Sequence, residues 1–75
     1  MRKNMKAERA RKSMSARQVA LAIGVHENAV MRWESGEAEP LGSNLVKLSK
    51  LYECSPEYLL EQTDDPHAAI IATKR

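Results

Sequence analysis

Seventy-five residues leave room for one core and no second domain. One cysteine, Cys54, excludes an intramolecular disulfide and points to a reducing, cytosolic setting. No run approaches the ~18 apolar residues of a membrane span, and the net charge of +2 is far from that of a histone-like protein.

Glycines and prolines fall between segments of helical periodicity, and nothing alternates with period two, so the chain reads as all-α. A basic first helix, roughly residues 3–12, carries a sparse apolar stripe of Met5, Ala10 and Met14. Ser15 and Gln18 have the spacing of a capping box and open a second helix with Val19, Ala20 and Ile23 inward. Gly24 stops it. A third helix runs from Glu27 to about Ser35, with Val30 and Trp33 three apart, and Gly36 ends it. Glu37 to Gly42 is a connecting loop. Leu45, Leu48 and Tyr52 mark a fourth helix, and Ser55-Pro56 starts a fifth with Tyr58 and Leu59 inward. From Thr63 the pattern lapses into a polar tail. Its apolar patch, Ala68 to Ala72, is either disordered or a packing element at a subunit contact. The expected division is therefore a domain over 1–62 and a tail over 63–75.

The charge is lopsided. Residues 1–20 carry +6 and residues 21–40 carry −3, a distribution that suits an anionic partner approached from one face. The unit from Ser15 to Ser35, two short helices around a Gly-centred turn, has the form of a helix-turn-helix. Ala20 is small where the next helix crosses close above it, although a compact α-hairpin shares some of these features.

The stretch from Met14 to Pro40, including Gly24-Val25 and Trp33-Glu34-Ser35-Gly36, resembles the lambda-repressor-like (Cro/C1-type, XRE) helix-turn-helix regulators. Leu45 to Leu60, ending Ser55-Pro56-Glu57-Tyr58-Leu59-Leu60, is similar to helices four and five of that family, in the manner of the lambdoid phage repressors. The likeness covers roughly residues 5–60. It implies a compact five-helix bundle whose third helix enters the major groove of a double-stranded operator.

On that resemblance Glu27, Asn28, Met31 and Arg32 face the bases. Asn28 suits adenine N6 and N7, Arg32 guanine O6 and N7, Glu27 cytosine N4, and Met31 a thymine methyl. A bidentate contact contributes on the order of 1–3 kcal/mol of discrimination. Ser15, Ala16, Arg17, His26 and Ser35 lie toward the DNA backbone, where the start of helix two offers N–H groups and its dipole. Arg2, Lys3, Lys6, Arg11 and Lys12 supply sequence-independent attraction. Arg9 and Glu34 form a structural ion pair, and Trp33 and Cys54 belong to the core. Tyr58, Leu60, Ile70 and Ile71 form a homodimer face.

Three positions depart from the family pattern. Ala16 stands where the family has a phosphate-clamping Gln. Glu37 and Glu39 follow Gly36, where Lys or Arg is common, and their carboxylates are expected to repel the DNA backbone. One domain should then bind modestly and depend on dimerisation.

An enzyme lacks its parts here: there is no Gly-rich phosphate loop, no Ser/His/Asp set and no acid pair with a cleft. Cys54, His26 and His67 lack metal-ligand spacing, and no small-molecule cofactor or membrane partner is implied. The reading is a phage- or prophage-type repressor, cytoplasmic, binding a two-fold operator as a dimer with half-sites about 34 Å apart. Two alternatives are an antitoxin-type regulator that clasps a toxin with its tail, and a protein-interaction module of the same fold that has lost DNA binding.

Overall fold

The computed structural model describes residues 2–67, which form five helices and, among the described residues, no strand. They are α1 (Lys3–Arg11), α2 (Ala16–Ile23), α3 (Glu27–Ser35), α4 (Gly42–Tyr52) and α5 (Pro56–Leu59). Ile70 and Ile71 lie outside the described residues.

The core is aliphatic with two aromatics. Met5, Val19, Ala20, Ile23, Val30, Trp33, Leu48, Tyr52, Cys54 and Leu59 are buried in one cluster. Each helix contributes one or more of them, so none of the five stands without the others. None of the described helices is long and apolar enough to cross a membrane.

The first helix departs from expectation. Ala10 is exposed, and the buried residues of α1 are Met5 and Glu8. At 100° per residue, Ala10 sits about 140° round from Met5, whereas Glu8, Arg9 and Lys12 share its side. Apolar residues five apart do not make a helical stripe. Polar residues therefore line the inward face of α1, and each finds a partner. Arg11 Nε donates to Glu8 Oε1 at 2.7 Å, and Arg11 Nη2 donates to the Tyr52 carbonyl at 3.0 Å.

The α2–α3 unit is set by its caps. Ser15 Oγ accepts from Gln18 N at 3.1 Å while Gln18 Oε1 accepts from Ser15 N at 2.8 Å, the reciprocal pair of a capping box. Gly24 takes φ 79°, and both its N–H and that of Val25 return to the Ala20 carbonyl at 2.9 Å. The left-handed turn reverses the chain in three residues and lays α3 across α2, with Ala20 and Val30 buried.

Two ends are tied together that the sequence pattern left separate. Glu61 Oε2 accepts from Asn4 N at 2.6 Å and the Tyr58 carbonyl accepts from Asn4 Nδ2 at 2.8 Å, which fixes the start of α1 to the end of α5. The described part of the tail folds back as well: Ser55 N donates to the Pro66 carbonyl at 2.6 Å. Pro66 thus lies against the start of α5, and His67 lies beside Glu53 and Cys54. The helix-four boundary differs slightly, since Gly42, assigned to the loop, is the first residue of α4.

Candidate nucleic-acid interface

On α3, residues 27, 28, 31 and 32 recur at spacings of three and four and share one face of the helix. Glu27, Asn28, Met31 and Arg32 are all exposed there, while Val30, Trp33 and Glu34 turn inward. Met31, 54% exposed, is the apolar side chain among the polar ones on this face.

The start of α2 sits beside this face. Ala16, Met31 and Ser35 line one shallow depression together with Lys6, Arg9 and Glu34. Asn28, Met31, Arg32, Ser35 and Glu37 line the next. Arg17, His26 and Glu27 meet in a third, at the angle between the two helices. His26 shares a further depression with Asn28 and Arg32, so the residues expected at bases and those expected at the backbone form one continuous surface.

Two helix N-termini open onto it. In α2 the first backbone bond is Val19 N to the Ser15 carbonyl at 3.1 Å, so the N–H groups of Ala16 and Arg17 precede the intrahelical ladder. In α3 the His26 imidazole is the cap: Nδ1 accepts from Asn28 N at 3.2 Å. With Nδ1 engaged in this way, Nε2 is the imidazole's other polar atom. Both ends carry the partial positive charge of the helix dipole.

Ser35 does less than the sequence promised. Its Oγ donates to the Arg32 carbonyl at 3.1 Å and accepts from Glu37 N at 3.3 Å, so the hydroxyl is committed to closing α3. The basic residues divide in the same way. Arg2 Nη1 donates to the Trp33 and Ala38 carbonyls at 2.8 and 2.6 Å, and Arg11 is held by Glu8 and Tyr52. Lys12 Nζ pairs with Glu53 Oε1 at 3.2 Å. Of the charges expected to attract phosphate, these three are engaged within the fold. Lys3, Lys6 and Arg17 make no ion pair among the described residues.

Under the interface lies a bidentate ion pair, Arg9 to Glu34, at 2.6 and 2.9 Å. Hydrogen bonding to Glu34 raises the Arg9 guanidinium above its ordinary value, so the guanidinium stays charged. Glu37, expected as a repulsive carboxylate, has its Oε1 3.9 Å from Arg32 Nε. Neither Arg2 as a clamp nor Glu37 as a partner of Arg32 was read from the sequence, because both arise from the turn at Gly36. Tyr58 and Leu60 are half-buried and pack against the core. Among the described residues no three His, Cys, Asp or Glu side chains converge as a metal site.

A helix-turn-helix family model matches residues 5–59. Repressor protein C2 of Salmonella phage P22 is 49% identical over 53 residues, 68% of this chain and 24% of that protein. The HTH-type transcriptional regulator DicA of Escherichia coli K12 is 41% identical over 49 residues, 65% of this chain and 36% of that protein. The chain thus spans about a quarter to a third of the length of these curated relatives. The crystal structure of the P22 c2 repressor in complex with a synthetic operator superposes with a TM-score of 0.74 at 37% identity, covering 79% of this chain and 89% of that one. The solution structure of the DNA-binding domain of the same repressor gives 0.73 at 34% identity, covering 91% and 88%. The chain belongs to the helix-turn-helix family.

Proposed function

We propose that this chain is the DNA-binding unit of a transcriptional repressor, which docks α3 in the major groove and binds a two-fold operator as a dimer. The observation that carries the reading is the single exposed face holding Asn28, Met31 and Arg32 beside the N–H groups of Ala16 and Arg17. Asn28 and Arg32 have the donor and acceptor patterns of adenine and guanine edges, and Met31 is the apolar contact for a thymine methyl. The α2 and α3 N-termini flank this face and suit phosphates on either side of the groove. Likeness to a repressor structure containing operator DNA supports the same docking. Two subunits on half-sites one helical turn apart convert a modest single contact into useful affinity.

Fluorescence anisotropy tests this with labelled duplex from the region upstream of the protein's own gene, titrated at several salt concentrations. Specific, salt-sensitive binding that is lost in Asn28→Ala and Arg32→Ala supports the reading. No binding even at low salt would overturn it.

A further inference from the structure

Arg32 and Glu37 stand five residues apart across the end of α3. In a continuing helix Glu37 would lie about 140° round from Arg32 and face elsewhere. Instead Gly36 takes φ 91°, the chain turns back, and Glu37 Oε1 comes to 3.9 Å from Arg32 Nε. The turn is held from both sides. The Arg32 carbonyl accepts from Gly36 N at 3.1 Å and Ala38 N at 3.2 Å, and Ser35 Oγ accepts from Glu37 N. From the N-cap of α1, Arg2 Nη1 grips the Ala38 carbonyl at 2.6 Å.

We infer that Glu37 is a specificity-determining residue of this interface, which positions Arg32 for a guanine edge and holds it off phosphates. The inference rests on the DNA-binding reading above. Its chemistry lies in which guanidinium atom Glu37 approaches. A guanine takes two N–H groups of the guanidinium on O6 and N7. Glu37 sits at Nε, so Nη1 and Nη2 remain available to form that fork, and the ion pair persists in the specific complex. A phosphate contact is different. To reach the backbone, Arg32 must leave Glu37, or carry a carboxylate toward a phosphate, and either course is unfavourable. The same negative charge thus costs little on guanine and more on random duplex.

The test compares Glu37→Gln with Glu39→Gln, which removes the same charge two residues along from an exposed side chain with no ion pair among the described residues. Two probes are used: duplexes enriched from a randomised pool by the wild-type protein, and the unselected pool. Glu39→Gln is expected to tighten both by one factor. Glu37→Gln is expected to tighten only the unselected pool and to steepen its salt dependence by about one ion. Its ratio of specific to random affinity should fall up to about 5-fold below that of Glu39→Gln, the range of an exposed ion pair. In an Arg32→Ala background, read on the unselected pool because specific binding is lost there, the two variants should become equal. Equal behaviour with Arg32 intact, or a difference that survives Arg32→Ala, would overturn the inference. A wild-type protein that binds neither probe at low salt is a separate result, which overturns the DNA-binding reading and the inference with it.

Discussion

Arg9 holds Glu34 through two parallel hydrogen bonds, Nε to Oε2 at 2.6 Å and Nη2 to Oε1 at 2.9 Å, while its Nη1 reaches the Met14 carbonyl at 3.1 Å. The pair ties the back of α3 to α1, and Met14 brings the chain entering α2 into the same contact. It therefore fixes the angle at which the base-facing side of α3 is presented. The side chains are 20% and 11% exposed, so breaking the pair leaves a charge largely out of water. Arg9→Ala should destabilise the fold by about 2–3 kcal/mol, below the ~3–5 of a fully buried pair. Arg9→Lys should recover little, because an ammonium cannot make the fork. The double change Arg9→Met/Glu34→Leu should regain most of the loss in urea unfolding, since no buried charge is then left alone.

The reversal at Gly24 gives a second prediction. A methyl added there meets nothing within 4 Å, so space is not the obstacle. The φ of 79° is, since an L side chain at such a dihedral costs roughly 1–2 kcal/mol. Gly24→Ala should lower stability by about that amount, and Gly24→Asn by less. Thermal unfolding followed by circular dichroism distinguishes this from a packing defect, which would make the larger Asn the worse of the two.

What the sequence made legible, and what it did not, follows from locality. Caps and turns are local: Ser15 with Gln18, Ser55 ahead of Pro56, and the glycines at 24 and 36 each state their role within four residues. The inward faces of α2 and α3 could be read because their apolar residues recur at helical spacing. Helix α1 could not, since its buried side is partly Glu8, and a polar residue announces burial only when its partner is known. The same holds for Arg2, Glu61 and the contact of Arg11 with Tyr52, where the partners lie 31 to 57 residues apart. At the candidate interface, the exposed face of α3 was accessible to periodicity, whereas the approach of Glu37 to Arg32 needed the geometry of the turn between them.

Cys54 yields a prediction about reactivity and pH. Burial pushes its thiol up to about 11, and the nearby Glu8 carboxylate acts in the same direction. The nucleophilic thiolate is thus scarce near neutrality. Iodoacetamide at pH 8 should label the native protein slowly and the urea-unfolded chain fast. The folded thiol titrates above the unfolded value of about 9, so its contribution to stability is complete below pH 9 and is lost as pH rises toward 11. Cys54→Ala should remove that part of the alkaline decline, as read from urea midpoints at pH 8 and pH 10.5. An unchanged decline would place its origin elsewhere.

The division of the basic residues makes a prediction about salt. Each cation that meets a phosphate releases counterions, so its removal lowers the slope of log affinity against log salt by about one. Lys6 lines the depression beside Ala16 and Met31, and Arg17 lies at the mouth of α2 beside His26. Lys6→Ala and Arg17→Ala should each lower the slope by about one, and weaken specific and random duplexes alike. Arg11 carries the same charge but is spent on Glu8 and the Tyr52 carbonyl, as Lys12 is on Glu53. Arg11→Ala should leave the salt slope unchanged and lower the unfolding midpoint instead, because the buried carboxylate of Glu8 loses its counter-charge. Slopes measured for all three variants on one duplex decide the matter: a loss of one ion for Arg11→Ala, equal to that for Arg17→Ala, would mean that net charge attracts the DNA without regard to which cations the fold has already engaged.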